Sequence, residues 1–146
     1  MARPRLVIQG IEPLLKKLRR LGSKTVANRV LRKATNAATT PLLRAVRSNT
    51  PVDTGGLKRS MAKKLVGRNF RYDGIVGSDV SKVDEAGEPQ ARHLHLVEYG
   101  YQHESGVTVP GSAPLRKGFD QARETCERVY AEKLAEAIEV EATKGR

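Results

Sequence analysis

The run Thr50–Ser60, reading Thr-Pro-Val-Asp-Thr-Gly-Gly-Leu-Lys-Arg-Ser, divides the chain into two kinds of pattern. Before it, apolar residues recur at helical spacing; after it, the spacing shifts toward that of strands. Pro51 removes a backbone donor and closes off a preceding helix. The paired glycines permit a backbone that other residues resist. The passage holds no general base, no paired carboxylates and no metal-ligand spacing, so it reads as a joint. Gly55 or Gly56 is expected at positive φ, with Asp53 or Thr54 bonding the turn's own backbone.

On the N-terminal side, residues 5–10 suggest a short strand or arm ended by Gly10. Ile11, Leu14, Leu15, Leu18 and Leu21 then recur at helical spacing with Lys16, Lys17, Arg19 and Arg20 between them. That pattern predicts an amphipathic basic helix stopped by Gly22. Ser23 is the candidate cap of a second helix carrying Val26, Val30, Ala34, Leu42 and Val46. Its alanine-rich stripe suits close packing against another helix. Pro41 falls inside this stretch, and because the apolar pattern continues in phase it predicts a kink in one helix rather than a new start.

On the C-terminal side, residues 61–67 and 72–78 read as two short strands joined by a tight turn at Arg68-Asn69-Phe70-Arg71. Residues 79–92 form a polar loop. His93–Gly100 is either a helical turn or a third strand, and Val107–Val109 marks a further short strand. Ala113–Lys144 places Leu115, Phe119, Ala122, Cys126, Val129 or Tyr130, Leu134, Ala137 and Ile138 at helical spacing. Ser112 is its candidate cap, with Pro114 in the first turn. Arg116–Asp120, Arg123–Glu127, Glu124–Arg128 and Arg128–Glu132 are attractive pairs on its polar face.

These elements predict an α+β fold: N-terminal helices, a small antiparallel sheet including a β-hairpin, and a long C-terminal helix packed on it. At 146 residues the chain suits a single domain. We divide it into an arm (1–10), a basic helical half (11–49), the joint (50–60), sheet and loops (61–112) and the last helix (113–144). With 38% hydrophobic residues, 4% aromatics and no tryptophan, the core is thin for this length. Part of the apolar surface is therefore expected against neighbouring subunits.

The charge is polarised. Residues 1–71 hold 18 Lys/Arg and 2 acids, whereas residues 72–146 hold 9 Lys/Arg and 14 acids, within an overall net charge of +11. Such a chain suits phosphate backbones, or copies stacking basic face on acidic face. Lys16, Lys17, Arg19, Arg20, Lys24, Arg29, Arg32 and Lys33 are the candidate DNA-facing or inter-subunit cations. Aromatic interleaving for base stacking is absent, so sequence-independent contact is expected rather than base reading. The one cysteine, Cys126, excludes an internal disulfide and reads as a small buried apolar residue in a chain made in a reducing compartment. There is no signal-peptide pattern and no run of membrane-spanning length, so a soluble chain without membrane partners is expected.

Catalytic patterns are lacking. His93, His95 and His103 lie near Glu98 and Glu104, and a His-x-His pair on a strand can ligate zinc. Without paired cysteines, solvated or interface histidines are the better reading, and no metal or cofactor is expected. Ser60, Ser78 and Cys126 lie in no nucleophile motif. Gly55-Gly56 before Lys58 and Ser60 has the wrong spacing for a phosphate loop.

Taken in order, several motifs resemble one family. Pro51-Val52-Asp53-Thr54-Gly55-Gly56-Leu57-Lys58-Arg59-Ser60 resembles a Pro-x-x-Thr-Gly-x-Leu-x-x-Ser signature, in which Pro51, Asp53, Thr54, Gly55, Gly56, Leu57 and Ser60 are the marked positions. Val97-Glu98-Tyr99-Gly100 is similar to a Val-Glu-Tyr/Phe-Gly element. Ala113-Pro114-Leu115-Arg116, continuing through Phe119, resembles the start of the family's last helix. The family is the tail-component or tail-completion proteins of long-tailed bacteriophages and prophages, part of the head–tail connector, or neck. The chain departs from it in having His93-Leu94-His95-Leu96 where many members carry aromatic and alanine residues, and in a longer acidic loop from Lys82 to Arg92.

The resemblance implies a non-enzymatic structural virion protein, assembled in the host bacterial cytoplasm as a ring in the neck. Six copies are expected from the symmetry of such tails, with twelve as the alternative. Its implied partners are further copies of itself, the neck connector or stopper proteins, and the tail terminator or tail tube, with DNA passing through the lumen. The alternative is a basic DNA-binding accessory protein.

Overall fold

The computed structural model describes Gly22 and residues 24–143. The expected arm, the basic helix bearing Lys16, Lys17, Arg19 and Arg20, and the Ser23 cap lie outside the described residues. Helix α1 spans Lys24–Asn49 and continues through Pro41 as one helix. The proline deprives the Ala37 carbonyl of its intrahelical donor. Around it, Thr35, Thr39 and Thr40 turn their hydroxyls back onto the carbonyls of Leu31, Thr35 and Asn36 at 2.8, 2.6 and 3.2 Å. These bonds satisfy hydroxyls inside the helix without an outside partner, and such back-bonding accommodates bending.

After the joint come a short helix α2 (Gly56–Ser60) and strands β1 (Met61–Arg68) and β2 (Arg71–Ser78). The strands pair antiparallel from Met61↔Ser78 to Arg68↔Arg71. Asn69 and Phe70 make the two-residue turn with φ of 54° and 70°, the left-handed geometry that matches hairpin twist. A phenylalanine is costly at that angle. Its backbone N–H donates to Asn28 Oδ1 at 2.8 Å and its ring packs on the core of α1, which offsets the strain.

The alternation of the hairpin is weak in the sequence because its inner face is not uniformly apolar. Met61 and Val76 are buried, but Lys63 also points toward α1, where its ammonium donates to the Asn36 carbonyl and the Thr40 hydroxyl. Gly74 sits against the Thr39 side chain. Burial holds the Lys63 ammonium below the usual lysine range.

Residues 79–92 are tied by their own polar groups: Asp79 accepts from Ser81, Asp84 accepts from the Ala86 and Glu88 amides, and Gln90 N–H donates to the Lys82 carbonyl. Helix α3 (Leu94–Tyr99) follows, then a second hairpin of β3 (Gly100–Gln102) and β4 (Thr108–Pro110) with Tyr101 opposite Val109. The expected small antiparallel structure with its hairpin is present, formed among the described residues as two separate two-stranded sheets. The histidine pair lies on and beside a helix rather than a strand, so the same-face zinc geometry does not arise.

The last helix, α4 (Pro114–Thr143), packs chiefly along α1. Asn49 meets Gln121 at 2.7 Å and Arg29 meets Glu141 at 3.5 Å, so the two run antiparallel. They pack tightly at Gly118, where an added Cβ would lie 2.7 Å from the backbone nitrogen of Val46. One apolar cluster joins Ala27, Val30, Leu31, Ala34 and Ala38 of α1 to Tyr130, Leu134 and Ala137 of α4. A second joins Leu42, Val46, Met61, Val76, Ala122 and Cys126. Of the expected surface pairs on α4, Arg123–Glu127 forms at 3.2 Å. Both long helices contribute to both clusters, and the hairpin β1–β2 also rests on α1.

Candidate functional site

The joint forms its turn mainly by backbone geometry. Gly55 takes φ 78°, and the Arg59 amide donates to the Gly55 carbonyl at 3.0 Å as α2 begins. Thr54, rather than Asp53, supplies the side-chain bond: its hydroxyl accepts weakly from the Gly56 amide at 3.4 Å. Ser60 is fully buried and donates to the Leu57 carbonyl at 2.7 Å, while its own carbonyl accepts from the Asp79 amide at 2.8 Å. Thr50, also buried, closes α1 by donating to the Val46 carbonyl at 2.7 Å. Pro51 and Asp53 are exposed. From the end of α1, Arg47 reaches the Met61 carbonyl at 2.7 Å and fixes where the first strand starts.

The second marked element acts on the third. Glu98 of α3 is only 9% exposed, and its two carboxylate oxygens accept from the Leu115 and Arg116 amides at 2.9 and 3.2 Å. Those amides are orphan donors at the start of α4, where the helix dipole also favours a negative charge. The cap expected at Ser112 is thus replaced by a carboxylate from another helix. Ser112 turns away and, through both amide and hydroxyl, donates to the Val97 carbonyl at 2.8 and 3.3 Å. Ala113, at φ 49°, makes the sharp corner, and Pro114 is buried in the first turn where its missing N–H costs nothing.

The three elements converge. Leu57 from the joint, Leu94 from α3, and Leu115 and Phe119 from α4 all pack on the second apolar cluster. The family-marked residues therefore build a junction, with side chains used for turn closure, capping and packing. A hydrogen-bonded carboxylate in this position was missed by sequence reasoning, because a cap 17 residues from its helix leaves no local pattern. The separation between Val-Glu-Tyr-Gly and Ala-Pro-Leu-Arg was the available signal.

The remaining candidates lie elsewhere. Lys24, Arg29, Arg32 and Lys33 are exposed on α1. His93 and His95 are exposed around α3, and His103 lies at the tip of the second hairpin with Nδ1 2.9 Å from the Ser105 hydroxyl. Among the described residues no group of three or more His, Cys, Asp and Glu side chains is placed to hold a metal ion, and no helix is long and apolar enough to cross a membrane. Cys126 is buried, and desolvation pushes its thiol pKa up, away from the reactive range.

A protein in which Thr54, Gly55, Leu57, Ser60, Glu98, Pro114 and Leu115 of the marked set build one internal junction, while Pro51, Asp53 and Tyr99 stay exposed, is one whose sequence signature largely records a shape. Over residues 12–100 the chain matches the model of a family described as "Bacteriophage HK97-gp10, putative tail-component". The match spans more than half of the chain, and the protein belongs to this HK97-gp10-like family. It takes in the joint, the first hairpin and Glu98, and stops before α4. Comparison with curated proteins and with solved structures finds no match.

Proposed function

We propose that this protein is a structural component of the phage neck, assembling as a ring that completes the tail or joins it to the head connector, with DNA passing through the lumen. It works by binding, without catalysis. Beyond family membership, the observation that carries the reading is the second hairpin. Tyr99, Tyr101, Val107 and Val109 are 62, 41, 60 and 37% exposed on and beside three-residue strands. Two strands this short are marginal alone, and a concentration of uncovered apolar side chains suits burial against another subunit.

The reading predicts that phage lacking this protein accumulate unjoined heads and tails, or tails of abnormal form. Normal infectious particles in its absence would overturn it. Reconstruction of virion necks by electron cryo-microscopy gives position and copy number together, with six expected. The second reading, a DNA-binding accessory protein, is favoured by the net positive charge of the helical half. It predicts a protein missing from purified particles.

A further inference from the structure

Between α1 and the first hairpin lies an open cleft of about 580 Å³, lined by Arg29, Arg32 and Lys33 with Asn36 on one side and Leu65 and Tyr72 on the other. Among the described residues that line it there is no carboxylate. The three cations recur at i, i+3 and i+4, which puts them on one face of the helix. Arg32 and Lys33 form no ion pair or hydrogen bond with the described residues. Arg29 has one long contact at 3.5 Å to Glu141, with its own side chain 59% exposed. The Lys63 ammonium lies beside the cleft but is already bonded to the Asn36 carbonyl and the Thr40 hydroxyl. The arrangement is a set of hydrogen-bond donors on a rigid helix, facing a hairpin that holds the cleft open.

We propose that this cleft binds the phosphate backbone of duplex DNA, with Arg29, Arg32 and Lys33 as the contacting residues. The proposal rests on the neck reading only for naming DNA as the source of phosphate. Guanidinium groups match phosphate oxygens in geometry and keep their charge at any physiological pH. The chemistry of the walls selects backbone over bases. Tyr72 is the one aromatic among the described lining residues, and its ring is already partly engaged by the first apolar cluster, so the walls offer no series of aromatic faces on which successive bases could stack. An acidic surface on a second copy fits less well. In the acid-rich loop, Asp79 and Asp84 accept from loop groups, and Glu88 is paired with Arg92 at 2.6 Å. Three of the loop's four carboxylates are thus engaged within their own subunit, Glu85 being the fourth.

The test uses the full chain and a fluorescently labelled duplex of random sequence, titrated between about 50 and 200 mM salt. The double variant Arg32→Ala/Lys33→Ala is expected to bind about tenfold more weakly at the low end and to lower the salt slope by about 2. The charge-matched control is Arg44→Ala/Lys64→Ala. Arg44 lies about 18 Å along α1 from Arg32, and Lys64 alternates to the opposite face of the hairpin from Leu65. Equal loss in that control means that net charge alone drives binding, and overturns the site. So does unchanged affinity in the cleft variant, or competition by polyglutamate as effective per charge as competition by DNA. Both mutated pairs are surface residues, and matching thermal melts exclude misfolding as the cause. Sedimentation of the same variants reads assembly separately, so loss of the DNA site and loss of the ring reading are distinguishable.

Discussion

Glu98 does the work of a capping residue from an unusual position. Its carboxylate meets two orphan amides of α4 while almost fully buried, so removing it strands donors that water reaches poorly. Glu98→Ala is expected to destabilise the fold by about 1–2 kcal/mol. Glu98→Gln keeps an acceptor for one amide and loses the charge, and is expected to cost less than the alanine variant. Urea unfolding of the two variants beside the parent checks both the size and the order. An alanine variant as stable as the parent would show that the cap is replaceable. At this scale the sequence was partly legible. The positive φ at Gly55 could be read because only glycine takes it freely, and Thr54 was one of two residues named for the turn. Glu98 could be marked by resemblance, but its partner could not, because nothing in local sequence links a carboxylate in one helix to the start of another.

At the scale of elements, long helices and the first hairpin were readable because their cues are local: apolar spacing in α1 and α4, and a two-residue turn between β1 and β2. The identity of the inward residues was harder. Lys63 and Gly74 occupy inner positions of the hairpin for reasons that belong to α1, namely a carbonyl and a threonine hydroxyl to bond and a threonine side chain to fit. Such tertiary demands override alternation. The second hairpin is held at its base by the bonds from Ser112 to Val97 and by the Gly100↔Pro110 pairing. Its tip, 103–107, is exposed and, among the described residues, bonds only to itself. A short Gly/Ser insertion after Glu104 is therefore expected to leave the unfolding midpoint of the isolated subunit unchanged, since loop lengthening costs little. In the proposed ring the same insertion weakens assembly. Thermal melts and sedimentation on one preparation separate the two effects.

For the molecule as a whole, the two apolar clusters each contain a group that resists ionisation. Burial raises the Tyr130 phenol in the first cluster and the Cys126 thiol in the second, above ordinary values of 10.0 and 9.0. A group whose pKa is raised by folding gives its full contribution below the unfolded value and loses it as pH rises through the folded one. Stability contributed by these two groups therefore falls on the alkaline side, from about pH 9 upward. Lys63 acts in the opposite sense, since burial lowers its pKa. The Tyr130→Phe variant isolates the phenol: its stability is expected to fall less steeply than the parent's above pH 10, as followed by urea unfolding across that range. Identical slopes would remove the phenol from the alkaline response.

The antiparallel pairing of α1 and α4 also has a mechanical side. Asn49–Gln121 and Arg29–Glu141 tie the pair near opposite ends, with Gly118 seated against Val46 beside the first of them. Sliding one helix past the other strains both ties and the seated glycine together. Peeling from one end meets them one after another. A molecule built this way is stiffest when load runs along its long helices, and yields most readily when the helices are pulled apart at a single end.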